Sequence, residues 1–165
     1  ADESKLPVKP TYRISHLDDL MAVMGRGRFA SGKESRVLFF DGRTVMVVED
    51  EPIVADLVVE LLRGSGYRVL HAPDGLAALE LWRERGHEVD LLLSDVVMPN
   101  VGGPELVEEL LGAAHRPRVL FMSGYARDDL GHFEARHGPV ALLEKPFSAA
   151  RLLEAVRDRL ETPPP

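Results

Sequence analysis

A chain of 165 residues with 45% hydrophobic and 28% charged side chains is long enough for one domain with a proper core, and its composition excludes a disordered or fibrous protein. It holds no cysteine, which excludes a disulfide framework and a thiolate zinc site and fits a cytoplasmic protein. The net charge of −7 is uneven, with eight Lys/Arg against six Asp/Glu in residues 1–43 and twelve against twenty-one in residues 44–165. The main body therefore attracts cations and is a poor surface for nucleic acid. No apolar stretch approaches the ~20 residues that a membrane-spanning helix needs, and Ala1-Asp2-Glu3-Ser4-Lys5 lacks the pattern of a secretory signal.

Residues 1–43 stand apart from the remainder of the chain and read as an extension or linker. Within them, Leu17, Leu20, Met21 and Met24 recur at helical spacing, so one short amphipathic helix is expected over His16–Met24, packed on the rest of the chain or on a second copy. Gly25–Ser35 is rich in glycine, arginine and serine and reads as a flexible loop. Gly27-Arg28-Phe29-Ala30-Ser31-Gly32-Lys33 has the spacing of a phosphate-binding loop. Glu34, however, stands where a Ser or Thr would hold magnesium, and no apolar strand leads into the motif. A basic linker is the expected reading.

From Thr44 onward, short apolar runs alternate with amphipathic stretches. Strands are expected at Thr44–Val48, Tyr67–His71, Val89–Ser94, Arg118–Met122 and Val140–Leu143. The first helix is expected over Pro52–Arg63, with Ile53, Leu57, Val58, Leu61 and Leu62 on one face, stopped by Gly64-Ser65-Gly66. Pro73-Asp74-Gly75 opens a second helix through about Arg85, with Leu76, Leu79 and Trp82 at helical spacing. Further helices are expected at Pro104–Ala113, Asp128–Arg136 and Ser148–Leu160, with Ser148 as an N-cap. Residues 162–165 form a tail that Pro163-Pro164-Pro165 keeps out of the helix. Regular alternation with short connections implies an α/β domain over 44–161: a five-stranded, doubly wound parallel sheet with helices on both faces. Near-continuous apolar strands say that the sheet is buried on both sides.

In such a sheet the carboxyl ends of neighbouring strands converge on one crevice, where ligands bind. Here that crevice collects Glu49, Asp50, Asp95, Ser123 and Lys145, each following an apolar run. A carboxylate at the end of the most apolar strand, Asp95, is a competent phosphoryl acceptor when a cation screens the developing charge. Glu49 and Asp50 supply hard oxygen ligands of the kind magnesium prefers. Lys145 can pair with phosphoryl oxygens as a mobile point charge, and Ser123 can donate a hydroxyl to them. Each residue alone has a plainer role: Asp95 as a turn former, Glu49 and Asp50 as companions of a helix N-terminus, Ser123-Gly124 as a turn, Lys145 as a solvated side chain. Their joint placement at the strand ends of one sheet favours the chemical reading. The histidines at 16, 71, 87, 115, 132 and 137 show no metal-ligand spacing, while Met98 and Pro99 shape the loop beside Asp95 and Trp82 reads as packing.

Val47-Val48-Glu49-Asp50-Glu51, Ser94-Asp95-Val96-Val97-Met98-Pro99, Met122-Ser123-Gly124-Tyr125 and Glu144-Lys145-Pro146-Phe147 together resemble the receiver domain of two-component response regulators over residues 44–161. The resemblance implies the flavodoxin-like strand order 2-1-3-4-5. It implies Asp95 as phospho-acceptor, and Mg²⁺ held by Asp50, Asp95 and the backbone carbonyl of Val97, with Glu49 acting through a metal-bound water. Ser123 would be the switch hydroxyl and Lys145 the phosphoryl partner. It further implies a histidine kinase, a phosphotransfer protein or a small phosphodonor as source, and catalysis by the receiver itself of the transfer and of later hydrolysis.

One departure concerns the switch. Receivers usually carry an aromatic residue three positions before the lysine, and this chain has Leu142, so the family's aromatic rotation cannot report the phosphorylated state here. In addition, nothing after Leu160 resembles an output domain, so a downstream protein partner, residues 1–43 or a neighbouring domain would read the state. The motif ends at Ser123-Gly124-Tyr125 and Lys145-Pro146-Phe147 look most like receivers attached to hybrid sensor kinases. A pseudo-receiver that docks partners without phosphorylation is the alternative, disfavoured because every reactive residue is present. A haloacid-dehalogenase-type phosphatase ranks last, because Glu49-Asp50-Glu51 lacks the Asp-x-Asp that chemistry requires.

Overall fold

In the computed structural model, the described residues are 42–124 and 130–162. The helix expected at His16–Met24, the Gly27–Lys33 motif and the final prolines lie outside them. The described chain runs β1 (Thr44–Val48), α1 (Pro52–Gly64), β2 (Arg68–Ala72), α2 (Gly75–Arg85), a 3-10 turn (Gly86–Glu88), β3 (Leu91–Asp95), α3 (Gly103–Leu110), β4 (Arg118–Ser123), α4 (Gly131–His137), β5 (Leu142–Glu144) and α5 (Ala149–Glu161). All strand pairs are parallel, in the order β2-β1-β3-β4-β5.

Successive strand residues point to opposite faces, which divides the core in two. Met46, Val48, Leu92 and Phe121 pack on one face with Ala78 of α2, Leu106 and Leu110 of α3 and Phe133 of α4. Val45, Val47, Leu91, Leu93, Leu120 and Met122 pack on the other with Val58 and Leu62 of α1 and Leu152, Val156 and Leu160 of α5. Every residue of β1 and of β3 is buried, which accounts for their lack of polar alternation.

Several boundaries shift for local reasons. The Tyr67 amide donates to Leu62 O at the end of α1 (3.1 Å), so β2 begins one residue later, where Arg68 N reaches Arg43 O. Gly66, at φ 92°, makes that turn. Strand β3 starts at Leu91, because Gly86–Glu88 coil into the 3-10 turn. Strand β5 starts at Leu142, since the Val140 amide is taken by Glu134 Oε1 (3.2 Å). Helix α4 spans Gly131–His137, and the start expected for it at Asp128 lies outside the described residues. Ser148 caps α5 as expected, its hydroxyl accepting from Arg151 N at 3.2 Å.

Two expected core positions are corrected. Ile53 is 49% and Leu76 50% exposed. At about 100° per residue, Ile53 lies opposite the buried stripe Ala55, Val58, Val59 and Leu62, and Leu76 is turned about 100° from buried Gly75 and about 160° from buried Ala78. Helix α2 thus meets its neighbours through small residues, with Leu79 and Trp82 half-buried at its flank.

The turn before β3 is fastened by Glu88. Its two oxygens accept from Arg85 Nε and Nη2 (both 2.8 Å), and Arg68 Nη2 joins from β2 at 2.8 Å. The Arg85 hydrogen bonds hold the Glu88 carboxyl down at about 2, against an ordinary 4.5. A carboxyl lowered on folding stabilises the folded state above its ordinary value, and that contribution is lost as pH falls toward the folded one. Glu88→Gln should therefore lower the melting temperature at pH 7, and the gap to wild type should close between about pH 4.5 and pH 2. High salt should narrow it too, and a gap independent of pH would refute the ion-pair account.

Candidate functional site

Strand register draws the reactive residues into one row. Val48 pairs with Ser94 and Asp95 with Met122, while Ser123 pairs with Glu144. Glu49, Asp95, Ser123 and Lys145 therefore leave the sheet at nearly the same level, and Asp50 follows Glu49. The row is sealed by backbone bonds across the strand ends: Val96 N to Met122 O (2.9 Å) and Lys145 N to Ser123 O (2.7 Å).

Lys145 is the hub of the side-chain geometry. Its Nζ lies 2.6 Å from Glu49 Oε2 and 3.1 Å from Asp95 Oδ2. The Glu49 side chain has no exposed surface, and Asp95 and Ser123 are also buried. Glu49 Oε1 accepts from the Glu51 amide at 3.0 Å, so both Glu49 oxygens already have partners within the protein. Burial pushes the Glu49 carboxyl above its ordinary range; the Lys145 charge opposes that rise and the Asp95 charge adds to it. Burial also works against the Lys145 ammonium, but the Asp95 and Glu49 charges outweigh it and hold Lys145 above its ordinary value. The lysine is thus a firm cation, retained by charge in a place where an isolated ammonium would be costly.

Carboxylate oxygens of Glu49, Asp50 and Asp95 lie within 4.8 Å of one another, and among the described residues this is the cluster able to hold a metal ion. Oxygen-only donors, few in number and half open to water at Asp50, suit Mg²⁺ and not a softer transition metal. The other expected site residues fall around this centre. Val97 sits two positions beyond Asp95 with its side chain 45% exposed. Leu142 lies away from the charges, half-buried on the core face that contains Phe121, its register partner.

Three supporting groups escaped the sequence reading. Ser94 Oγ donates to the Asp95 carbonyl at 2.9 Å. His71 Nε2 stands 3.5 Å from the Glu49 carbonyl. The Glu51 amide serves Glu49. Only the Glu51 contact had a local signal, a carboxylate two residues before an amide at a helix start; the others join separate strands or use backbone acceptors.

Residues 45–157 match the response regulator receiver domain family. The chain belongs to that family. This receiver is 41% identical over 118 residues to the sensor kinase CckA of Brucella abortus (strain 2308), an alignment covering 72% of this chain and 12% of that protein. It is 32% identical over 121 residues to the polar-differentiation response regulator DivK of Brucella anthropi, covering 72% of this chain and 96% of that one. Among solved structures, the receiver domain of the hybrid histidine kinase CckA superposes with a TM-score of 0.60 at 36% identity, over 72% of this chain and 99% of that chain. The receiver thus spans a small part of one relative and almost all of another. It is a receiver domain of two-component signalling, with an acidic pocket at Glu49, Asp50 and Asp95 that fits a phosphorylation site with Mg²⁺. No helix among the described residues is long and apolar enough to cross a membrane.

Removing the ammonium should leave buried carboxylates without their counter-charge. Lys145→Ala is expected to cost about 3–5 kcal/mol of unfolding free energy at pH 7. Adding Glu49→Gln in the same chain should restore part of that loss, because the buried charge goes with it. Urea denaturation of the single and double variants measures both, and equal stability of the two would contradict the pairing.

Proposed function

We propose that this receiver takes a phosphoryl group from the phosphohistidine of a histidine kinase or phosphotransfer protein onto Asp95. The observation that carries the reading is the position of Lys145 Nζ, between the Asp95 carboxylate and Glu49. It is within reach of any oxygen added to Asp95 and is anchored by Glu49 when its contact with Asp95 is exchanged for one with the phosphoryl group. Asp95 Oδ attacks phosphorus, the O–P bond forms as the N–P bond breaks, and the departing imidazole keeps the electron pair. Lys145 stabilises the charge that passes to the phosphoryl oxygens. Ser123, buried at the end of β4, supplies a hydroxyl to the phosphoryl oxygens.

Asp50, Asp95 and the Val97 carbonyl are the residues that would hold Mg²⁺, with Glu49 acting through water because its own oxygens are engaged. When bound, the ion would offset the negative charge that builds between carboxylate and phosphoryl group. Ile53, Leu76 and Val97 are exposed apolar side chains in segments that follow the carboxyl ends of β1, β2 and β3, and they suit an apolar rim for the donor protein. The face of α4, β5 and α5 is the surface a downstream partner would read. A cytoplasmic location belongs to the same reading.

Intact-mass spectrometry after incubation with acetyl phosphate tests this. One phosphoryl adduct is expected with Mg²⁺, none without it, and none in Asp95→Asn. Hydrogen exchange of the adduct should change in α4, β5 or α5. A folded protein that gains no adduct with metal present would overturn the acceptor role, and unchanged exchange on that face would overturn the readout.

A further inference from the structure

The segment that follows Asp95 is held by backbone bonds and close approach, with Ser94 Oγ on the Asp95 carbonyl at its start. Val96 N bonds Met122 O, Val101 N bonds Pro99 O (2.8 Å), and Gly103 N returns to Val96 O (2.9 Å). Asn100 sits at φ 65° to make the turn, a conformation asparagine tolerates better than most residues. Met98 is buried in the core, and Val101 packs against the same cluster. Two glycines from flanking helices close the remaining space. A Cβ on Gly75, the first residue of α2, would stand 2.4 Å from Val101 O, 2.7 Å from its Cβ and 2.8 Å from its Cγ1. A Cβ on Gly103, the first residue of α3, would stand 2.4 Å from the Asp95 carbonyl oxygen and 3.1 Å from the Phe121 ring.

Neither glycine has a positive φ, so backbone freedom does not explain them. Glycine is also the poorest helix former after proline, so local propensity argues against both. Asp74 already caps α2, its carboxylate accepting from Ala77 N at 2.8 Å and its carbonyl from Ala78 N. What the glycines provide is the absence of a side chain where a helix start meets the segment carrying Asp95 and Val97. A residue that breaks a local rule beside a site marks a demand made by the site. Gly131, the first residue of α4, is the internal comparison, because among the described residues nothing lies within 4 Å of its would-be Cβ.

We propose that Gly75 and Gly103 are positioning residues for phosphoryl transfer: by admitting backbone contact at Val101 and Asp95, they set where the Asp95 carboxylate and the Val97 carbonyl stand. The inference rests on the acceptor reading of Asp95 given above. Gly75 acts at a distance in the chain, through the Val101 contact.

The test uses the full chain and the variants Gly75→Ala, Gly103→Ala and Gly131→Ala. Backbone amide shifts of residues 95–103 are recorded without metal, and then through a Mg²⁺ titration. Phosphorylation by acetyl phosphate is timed on the same samples. Gly75→Ala and Gly103→Ala should shift the 95–103 amides, weaken Mg²⁺ binding about tenfold and slow phosphorylation on the order of tenfold to a hundredfold, the scale of a misplaced reacting group. Gly131→Ala should match wild type in all three. Wild-type Mg²⁺ affinity and rate in folded Gly75→Ala, whatever its melting temperature, would reduce the glycine to a packing role and overturn the proposal. Should Gly75→Ala fail to fold, Val101→Ala decides: it loosens the same contact without a clash and should weaken Mg²⁺ binding in the same direction, and unchanged affinity refutes the proposal. If wild type itself takes no phosphoryl group, the acceptor reading falls, while the metal-free shifts of 95–103 in Gly75→Ala against Gly131→Ala still show whether Gly75 sets the loop.

Discussion

Three carboxylates gathered at one end of a buried sheet repel one another, and the ammonium of Lys145 is what makes the gathering tolerable. It touches Glu49 and Asp95 from the fifth strand, so the electrostatic balance of the site depends on the far edge of the fold. A charge cluster of this kind stabilises the protein weakly, because desolvation offsets much of the attraction. Its value is chemical. An acidic centre with a built-in cation fits a phosphorylation site with Mg²⁺.

The rest of the architecture serves to hold this centre in place. Strand pairing sets the level at which Glu49, Asp95, Ser123 and Lys145 emerge. The two core faces fix the sheet between its helices. The loop after Asp95 has few side-chain bonds and depends instead on the near-contact of helix starts at Gly75 and Gly103. Rigidity by close packing transmits small displacements well, because packed interiors do not deform smoothly. A change of backbone position at Asp95 therefore has a direct route into α3 and into Phe121.

Leu142 belongs to the core face of Phe121 and not to the charged centre. At the position where the resemblance to receivers implies an aromatic ring, this chain has a half-buried leucine opposite Phe121. The aromatic contact between sheet and α4 is made instead by Phe121 and Phe133, edge to face with centroids 5.7 Å apart, and Phe133 is covered in turn by His137 at 4.5 Å. Glu108 of α3 then receives His137 at 3.2 Å and pairs with Arg136. Helix α4 is consequently tied to both β4 and α3, although it is short and carries few buried residues.

Much of the fold and most of the charged centre were legible in the sequence. Apolar runs such as Val45–Val48 and Leu91–Leu93 have no polar alternation, and only a strand buried on both sides needs that. Polar residues placed directly after such runs belong to the crevice of a parallel sheet, whatever the details of packing. Exact boundaries were less legible, because the Tyr67, Val89 and Val140 amides go to Leu62 O, Gly86 O and Glu134 Oε1. The exposed faces of Ile53 and Leu76 were misassigned for a related reason: apolar character marks a helix's buried side only when the angular position agrees.

The sequence by itself determined the order of elements, the parallel sheet and which charged and polar groups follow its strands, since all of these follow from local pattern. The tertiary structure alone decided that Lys145 lies against both Glu49 and Asp95, that Glu49 is fully enclosed, and that Gly75 closes on Val101, twenty-six residues later. Those facts depend on distances between segments far apart in the chain, and distances of that kind are set by packing, which no local pattern encodes.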